Sequence, residues 1–348
     1  MTTVHIIGAG LIGTSLGLAL RDVGYAVSLE DANPKHLAGA VAMGAGTADA
    51  PSQPDIVVVA VPPAAIPTVI RDAKSRYLHS TFTDVGSVKA QPLAEVETDS
   101  DLAVRFVGGH PMAGRETTGP HGARADLFAD RPWILTPTFS TDPARVAQVR
   151  RMAESVGAVV TEMSAAAHDR AVALTSHAPQ VLASIMAGLI ASAPQADIQL
   201  SGQGLRDVTR IAGSNPELWD DILGANATEV GHILAAFAEQ LQAVRTALES
   251  GTSVREMLHV GNAGRDRIPA KHGGPATADT VVSVSVDDRP GALTALFSAA
   301  AAANINIEDV RIDHMLGREN AIVDLSVRAE AAEPLRAVLR EGGWLLRS

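Results

Sequence analysis

Hydrophobic residues follow two different periods along the chain, and the change between them divides it. Up to about residue 163, short β-branched segments alternate with Ala- and Leu-rich segments of helical period, beginning with Val4–Ile7, Leu11–Val23 and Ala26–Leu29. Such an alternation predicts βαβ units that build a parallel sheet. We therefore predict an α/β domain over residues 1–163.

From residue 164 to 260 the strand signals stop and long helical patterns follow one another, such as His168–Ala193 and Asn215–Leu248. This part is predicted to be an all-α domain. Its most apolar stretch, residues 171–193, is interrupted by polar residues and by a proline, and it falls short of the ~20 clean apolar residues of a membrane span. We expect a buried helix there and no membrane partner.

Residues 261–279 are rich in Gly, Pro and charge without apolar periodicity, which is typical of a linker. The remaining residues, 280–348, predict a small domain with the order βαββαβ, which is ferredoxin-like. Its expected elements are a strand at 280–286, a helix at 291–303, strands near 305–313 and 320–327, a helix at 332–340 and a short final strand.

Composition narrows the classes of function. A net charge of −11 with scattered Lys and Arg argues against nucleic acid as a partner. The chain has no cysteine, so thiol chemistry is excluded and redox chemistry requires a bound cofactor. The histidines show no metal-ligand spacing, so no metal site is predicted. The N-terminus lacks the pattern of a signal peptide, and we expect a cytoplasmic protein.

A GxGxxG motif follows the first predicted strand and opens a helix. Its glycines permit a tight turn, a close backbone approach to phosphate and close packing of helix on strand, and the helix N-terminus attracts a pyrophosphate. We predict a Rossmann-type dinucleotide site that includes Gly8, Gly10, Leu11, Ile12 and Gly13.

The second strand ends in two acids. Asp31 has the spacing of the carboxylate that hydrogen-bonds the adenosine ribose and repels a 2′-phosphate, and no Arg follows closely, so NAD is favoured over NADP. Lys35 leaves some room for NADP. We interpret Glu30 as a solvated charge at the strand end. Val61 and Pro62 follow the third predicted strand and are expected to frame the nicotinamide half.

Two further motifs with Gly carry candidate chemistry, Asp84–Lys89 and residues 108–116 (GGHPMAGRE). Both are predicted to be loops at the edge of the sheet. A histidine between Gly-Gly and Pro has little packing purpose, and the imidazole of His110 could take the proton of an alcohol while hydride leaves the same carbon.

The motifs GxGxxG, DVGSVK, GGHPMAG, SHxP and RDVTRIAxSxPxxW occur in this order over about residues 1–250. This series closely resembles the prephenate/arogenate dehydrogenase family of tyrosine biosynthesis. The resemblance implies oxidative decarboxylation of prephenate to 4-hydroxyphenylpyruvate with NAD as hydride acceptor. It also implies a homodimer formed through the helical domain.

By the same resemblance, His110 is the general base, Ser87 orients the ring hydroxyl and the imidazole, and Arg210 binds a substrate carboxylate. A guanidinium suits that role because it forms two parallel hydrogen bonds with a carboxylate. Arg206 either assists Arg210 or forms a surface ion pair. His177 is either a substrate residue or a buried histidine between helices.

One position departs from the family. Many relatives have a second histidine where this chain has Gln180. A neutral amide there suits either the keto side chain of prephenate or the amino side chain of arogenate, so arogenate is the alternative substrate.

Residues 280–348 resemble the ACT domain, a module that regulates enzymes of amino-acid pathways. The resemblance depends on Asp288, Pro290, Gly291, Ala292 and Leu293, together with Asn304 and Ile305. It implies binding of an aromatic amino acid, most plausibly tyrosine, with feedback inhibition. The alternative is a module that is only structural or dimerising.

Two other functions fit the sequence less well. In a non-catalytic sensor of NAD and an amino acid, the combination of His110, Ser87 and Arg210 would have no purpose. The second alternative is a β-hydroxyacid dehydrogenase, a class that typically uses a catalytic lysine in the helical domain. No lysine occurs between Lys89 and Lys271, which argues against this class.

Overall fold

The computed structural model describes residues 1–114, 117, 119–268, 279–314 and 320–347. The chain divides into two compact units, Met1–Glu239 and Gln240–Ser348. The first unit contains a seven-stranded sheet followed by helices, and the second contains a small antiparallel sheet.

The large sheet has the strand order β2-β1-β3-β4-β5-β6-β7. Strands β1 to β5 are parallel to one another, whereas β6 is antiparallel to β5 and parallel to β7. The strands are β1 (Thr3–Ile7), β2 (Ala26–Glu30), β3 (Ile56–Val59), β4 (Thr81–Asp84), β5 (Phe106–Pro111), β6 (Pro132–Thr136) and β7 (Val159–Glu162).

The prediction of a wholly parallel sheet is therefore wrong at β6. A parallel connection needs a crossover of a dozen or more residues, usually a helix. Among the described residues between β5 and β6, the only helical segment is the short 3-10 turn Pro120–Gly122, so the chain returns in the opposite direction.

Helices cover both faces of this sheet, and a hydrophobic cluster fills each side. One cluster includes Leu16 and Trp133, and the other includes Ile70 and Phe82. Because β1 to β5 are parallel, their carboxyl ends lie at the same edge of the sheet, which is where ligands bind in open α/β sheets. The helices are α1 (Leu11–Asp22), α2 (Pro34–Ala42), α3 (Ile66–Arg76), α4 (Ala90–Glu97), α5 (Ser100–Arg105) and α6 (Pro143–Ser155).

The helical part is more interrupted than the sequence predicts. The pattern at 168–193 is divided by a π-helical turn, Ala173–His177, because Pro179 lacks the N–H that a regular α-helix requires. The elements are α7 (Ala165–Val172), α8 (Ala178–Ala191), α9 (Gln195–Ile198), α10 (Gln203–Thr209), a 3-10 turn (Arg210–Gly213), α11 (Pro216–Ala225), α12 (Ala227–Glu249) and α13 (Arg255–Arg265).

The stretch Ala165–Ala191 is long and apolar enough to cross a membrane by length and composition alone. The expected buried helix over 171–193 is wrong for the single chain, because Leu174, Ile185 and Leu189 are exposed. The first turns of the stretch Ala165–Ala191 nevertheless hold buried polar groups, since His168 and Asp169 are 1% and 3% exposed.

The second unit contains a four-stranded antiparallel sheet with the order β11-β8-β10-β9. Its strands and helices follow one another as β8 (Asp279–Asp287), α14 (Ala292–Ala302), β9 (Asp309–His314), β10 (Asn320–Arg328), α15 (Ala329–Glu341) and β11 (Leu345–Arg347). Val284, Leu296, Leu325 and Leu335 belong to its core. Helix α13 extends to Arg265, so the linker predicted over 261–279 is helical in its first residues. Residues 269–278 lie outside the described part.

Candidate active site

The loop after β1 can be built only with glycine at two of its motif positions. Gly8 has φ +111°, and a Cβ there would lie 2.2 Å from the carbonyl oxygen of Ala60. At Gly13, a Cβ would lie 1.9 Å from the carbonyl oxygen of Gly8. These close approaches bring the start of α1 against β1 and β3.

Gly10 has a different role, because no heavy atom lies within 4 Å of the position that its Cβ would take. It is the N-cap of α1, where no side chain caps the helix and no acid occupies the first turn. Leu11 and Ile12 begin the helix and are partly buried. The free space and the uncapped helix N-terminus fit the pyrophosphate of NAD.

Asp31 lies beside this loop. Its Oδ2 accepts a hydrogen bond from the backbone N–H of Ala9 at 2.6 Å, and its Oδ1 accepts one from Asn33 N–H at 2.7 Å. Glu30 accepts two hydrogen bonds from Arg76 and contacts His5. Glu30 is therefore engaged within the fold, which leaves Asp31 as the acid beside the nucleotide loop.

Val61 and Pro62 follow β3 at the same edge of the sheet. Val61 packs next to the glycine loop, since its Cγ1 would lie 3.2 Å from a Cβ placed on Gly8. Pro62 is exposed. That the two residues frame the nicotinamide half stays a prediction.

His110 is part of β5, so the prediction of a loop is wrong there. It pairs with Ile134 of β6. The two preceding glycines are explained by close neighbours, because a Cβ would lie 2.3 Å from Thr136 Oγ1 at Gly108 and 2.6 Å from the carbonyl oxygen of Asp84 at Gly109. Glycine in a strand often marks such a close approach.

The imidazole of His110 is hydrogen-bonded to a second histidine from the helical part. Its Nδ1 lies 2.8 Å from Nε2 of His168, and the two rings are edge to face with centroids 5.0 Å apart. Nδ1 of His168 lies 2.7 Å from Oδ1 of Asp169. The three side chains form a continuous chain of hydrogen bonds that ends on a carboxylate.

Asp169 also links α7 to the first domain. Its Oδ1 accepts from Lys89 N–H and its Oδ2 from Ala90 N–H, both at 2.8 Å, at the start of α4. Burial raises the pKa of Asp169, but hydrogen bonds from His168 and from these two backbone groups outweigh it and hold that pKa below its usual value. The carboxylate is therefore ionised.

Beneath His110 lies a buried ion pair between Asp84 and Lys89, whose side chains are 0% and 1% exposed. The Lys89 ammonium donates to Asp84 and, at 2.7 Å, to the carbonyl oxygen of Gly109. Asp84 also accepts from Gly109 N–H at 3.1 Å. Both the N–H and the carbonyl group of Gly109 are thus fixed directly before His110. Burial lowers the pKa of Lys89, and Asp84 opposes that shift.

These surroundings favour neutral His110. Burial lowers the pKa of His110 well below its usual value, and electrostatic interactions with His168, Lys89 and His177 lower it further. Ser87 lies in the segment between β4 and α4 and is partly buried. The site therefore presents a neutral imidazole on a strand at the carboxyl edge of the sheet.

His177 is buried and hydrogen-bonded, which favours the interpretation as a histidine between helices. Asn226 Nδ2 donates to the carbonyl oxygen of Asp169 at 2.9 Å and lies 3.1 Å from His177 Nδ1. Trp219 meets the His177 ring edge to face, with centroids 6.1 Å apart. Burial lowers the pKa of His177 to about 4.

The other predicted substrate residues lie on α8, α10 and the turn that follows. Gln180 is buried, donates to Ser184 Oγ at 3.4 Å and accepts from Ser214 Oγ at 3.5 Å. Arg206 on α10 and Arg210 at the start of the 3-10 turn are exposed in the single chain. This turn packs against α8, and α11 packs against residues 63–65 after β3. The segment of Arg210 therefore contacts the helix that carries Gln180, and the next helix, α11, contacts the turn that follows Pro62.

The predicted regulatory residues belong to the second unit. Gly291 has φ +87° and is the N-cap of α14, which no side chain caps. Ala292 and Leu293 begin that helix, and Asp288 and Pro290 belong to the turn before it. Asn304 has φ +55° directly before Ile305.

Four residues of the site were not assigned a role from the sequence: Asp84, Lys89, Asp169 and Asn226. For His168, which Asp169 follows, the sequence favours a structural role at the domain junction over a catalytic one. The adjacent pair His168-Asp169 and the lysine that closes DVGSVK were the only signals available. Among the described residues, no three His, Asp or Glu side chains are grouped to hold a metal ion.

Family models match two consecutive parts of the chain. Residues 16–162 match "Prephenate dehydrogenase, nucleotide-binding domain", and residues 164–259 match "Prephenate dehydrogenase, dimerization domain". A curated protein from Streptomyces niveus, "Probable prephenate dehydrogenase NovF", is 36% identical, and the alignment covers 99% of each chain.

Solved structures agree with these matches. Prephenate dehydrogenase from A. aeolicus, in complex with hydroxyphenyl propionate and NAD⁺, has a TM-score of 0.69 and 32% identity, covering 76% of this chain and 97% of the other. Synechocystis arogenate dehydrogenase has a TM-score of 0.66 and 29% identity, covering 76% and 99%.

Proposed function

The chain belongs to the prephenate dehydrogenase family, and we propose that His110 removes the proton from the ring hydroxyl of prephenate. The chain is an NAD-dependent oxidoreductase that converts prephenate to 4-hydroxyphenylpyruvate and carbon dioxide, a step towards tyrosine. The observation that carries the residue assignment is the neutral, hydrogen-bonded imidazole of His110 at the carboxyl edge of a nucleotide-binding sheet.

NAD supplies the hydride acceptor when it is bound at the glycine loop. His110 uses Nδ1 to contact His168, which leaves Nε2 to accept the hydroxyl proton as hydride departs from the same ring carbon. The carbonyl formed in this way is conjugated to the carbon that bears the carboxylate. Loss of carbon dioxide then gives an aromatic phenol and is strongly favourable, so the residues mainly have to assist the first step.

Substrate positioning is assigned to groups around this base. Ser87, between β4 and α4, orients the ring hydroxyl and the imidazole. Arg210 binds a substrate carboxylate through two parallel hydrogen bonds, and Arg206, one turn earlier, adds positive charge. The position of the Arg210 segment, beside α8 and before the helix that packs on residues 63–65, supports this assignment.

Arogenate is the alternative substrate, and Gln180 is the reason. Its amide is neutral and buried, and it contacts Ser184 and Ser214, so the residue places no positive charge there. A neutral amide can accept from the ammonium group of arogenate or donate to the keto group of prephenate. The identity of this residue alone therefore supports both side chains.

The experiment is a comparison of NADH formation from prephenate and from arogenate by the purified full-length chain. We expect turnover with prephenate and a loss of about 10²–10⁴-fold in kcat for His110→Gln, the range of a lost general base. Unchanged binding of NAD by His110→Gln serves as the control for folding. Full turnover by this variant would contradict the assignment of the base. A preference of the unsubstituted protein for arogenate would make arogenate the substrate in place of prephenate.

We also propose that the second sheet belongs to an ACT domain that binds tyrosine and inhibits the enzyme. The antiparallel order β11-β8-β10-β9 with two helices, and the uncapped N-terminus of α14 at Gly291, support a carboxylate site for an amino acid. Tyrosine titration of NADH formation tests this regulation, with Gly291→Val as the matched variant. Equal inhibition of both proteins would contradict it.

A homodimer formed through the helical part is proposed as well. The model that matches residues 164–259 describes a dimerization domain. Apolar side chains such as Ile185, Leu189 and Leu200 are exposed in the single chain, which supports burial against a second copy. Light scattering of the purified chain measures this directly, and a monomer at micromolar concentration would contradict it.

A further inference from the structure

A histidine and a carboxylate beyond the proposed base remain without a role in the reaction. His168 contacts His110 at 2.8 Å, and Asp169 contacts His168 at 2.7 Å. Both side chains are almost completely buried, at 1% and 3% exposure. Burying two ionisable groups beside a base is costly unless every polar atom is paired.

The hydrogen-bond partners fix where each proton lies. An ionised carboxylate can only accept, so Nδ1 of His168 must carry a proton towards Asp169. A neutral His168 then has a lone pair on Nε2, and Nδ1 of His110 must donate to it. The remaining nitrogen of His110, Nε2, is therefore unprotonated and able to accept.

We propose that His168 and Asp169 are positioning residues that select the Nδ1–H tautomer of His110 and stabilise its protonated form. This inference rests on His110 being the base of the proposed reaction. The proton that leaves the substrate hydroxyl goes to His110 Nε2. The imidazolium that results keeps its Nδ1–H bond to His168, and that bond strengthens because His168 is polarised by Asp169.

The charges around His110 make this support necessary. Burial is the largest factor that disfavours a cation at His110, and His168, Lys89 and His177 disfavour it further when they are themselves protonated. The charge of Lys89 is balanced by Asp84. Asp169 is the anion that the chain of hydrogen bonds connects to His110 through His168. It carries out this role without losing its structural one, because the backbone groups of Lys89 and Ala90 use its remaining acceptor capacity.

Two substitutions of His168 distinguish its role as a hydrogen-bond acceptor from the space that its side chain fills. In His168→Gln, the side-chain carbonyl can accept from His110 Nδ1–H, whereas His168→Leu fills the space and offers no acceptor. We expect kcat to fall by about 10²–10³-fold in His168→Leu, consistent with a weakened general base, and to recover at least tenfold in His168→Gln. NAD affinity, measured by calorimetry, should be unchanged in both. Equal kcat values for the two variants would overturn the proposal.

The tautomer itself can be observed without turnover. Long-range ¹H–¹⁵N spectra of protein labelled at histidine distinguish Nδ1–H from Nε2–H, and His110→Gln identifies the signal of His110. We expect Nδ1–H in the unsubstituted protein and a change to Nε2–H in Asp169→Asn, whose amide can donate to His168. An Nε2–H tautomer in the unsubstituted protein would refute the proposal. If His110→Gln instead retained full turnover, the assigned base would fail while the tautomer result stood.

Discussion

The carboxylate of Asp31, at the end of β2, accepts a hydrogen bond of 2.6 Å from the backbone N–H of Ala9, inside the glycine loop. One acid therefore orders the loop and stands next to the space in which a nucleotide would lie. Its neighbour Glu30 contacts Arg76 and His5 instead. The two adjacent acids have separate roles, and they can be tested separately.

For Asp31→Ser, we expect kcat/KM with NAD to fall by about 10- to 100-fold, the range for a lost hydrogen bond to a charged group. The discrimination against NADP should narrow, because the negative charge that repels a 2′-phosphate is gone. Steady-state kinetics with both cofactors measure these effects. Glu30→Gln is the matched control and should keep the cofactor preference. Unaltered discrimination in Asp31→Ser would contradict the role of Asp31.

Removing one partner of the buried pair Asp84–Lys89 should be strongly destabilising. In Lys89→Met, Asp84 remains buried without its cation and the carbonyl oxygen of Gly109 loses a donor, so we expect a loss of about 3–5 kcal/mol in the free energy of unfolding. In the double variant Asp84→Asn with Lys89→Met, much of this loss should be recovered. Urea denaturation of the unsubstituted protein, of Lys89→Met, of Asp84→Asn and of the double variant tests the coupling. Strictly additive effects would show that the two charges do not stabilise each other.

The pH dependence of kcat/KM should reveal the environment of His110. The base acts in its neutral form, and burial lowers the pKa of His110 below 6.5, so activity should persist below that pH and be lost only at more acidic values. Initial rates across the acid range measure this limb, and NAD binding over the same range is the control. An inflection at or above 6.5 would be incompatible with the buried site described here.

His177 should make the fold sensitive to acid. Its folded pKa is about 4 against 6.5 for the free side chain, so the unfolded chain binds the proton first as the pH falls. The contribution to stability is complete above 6.5 and decreases by roughly 3 kcal/mol as the pH falls towards 4.

Urea unfolding of the unsubstituted protein and of His177→Gln between about pH 7 and pH 4.5 isolates this contribution, since all other groups are shared. Glutamine can still accept from Asn226. The stability of the variant should change less with pH, and parallel curves for the two proteins would exclude His177 as the cause.

Much of the fold follows from the order of local patterns. The first two strands and α1 lie within one residue of their predicted bounds, because β-branched segments and glycine turns are local signals. The direction of β6 could not be predicted, since it depends on the connection rather than on the strand. The exposed apolar residues of α8 were also not predicted. An apolar helical pattern indicates that a helix is covered, but not whether the covering residues belong to the same chain.

The sequence could propose Gly8, Asp31 and His110 for the site because each belongs to a motif with a local signal of its own. The interaction of His110 with His168 spans 58 residues, and the Asp169 bonds to Lys89 and Ala90 span 80 and 79. Contacts of that separation depend on how α7 packs on α4. No spacing within either segment reveals them.

His110 is held in a strand, opposite Ile134 and directly after Gly109, whose N–H and carbonyl group are bound by Asp84 and Lys89. The proposed base therefore has no hinge of its own. If the site adjusts to ligands of different size, the helical elements around Gln180 and Arg210 must therefore move, while the imidazole of His110 keeps its position. Evolving a new substrate range would then be a matter of reshaping those helices, and the strand that carries the base could be left intact.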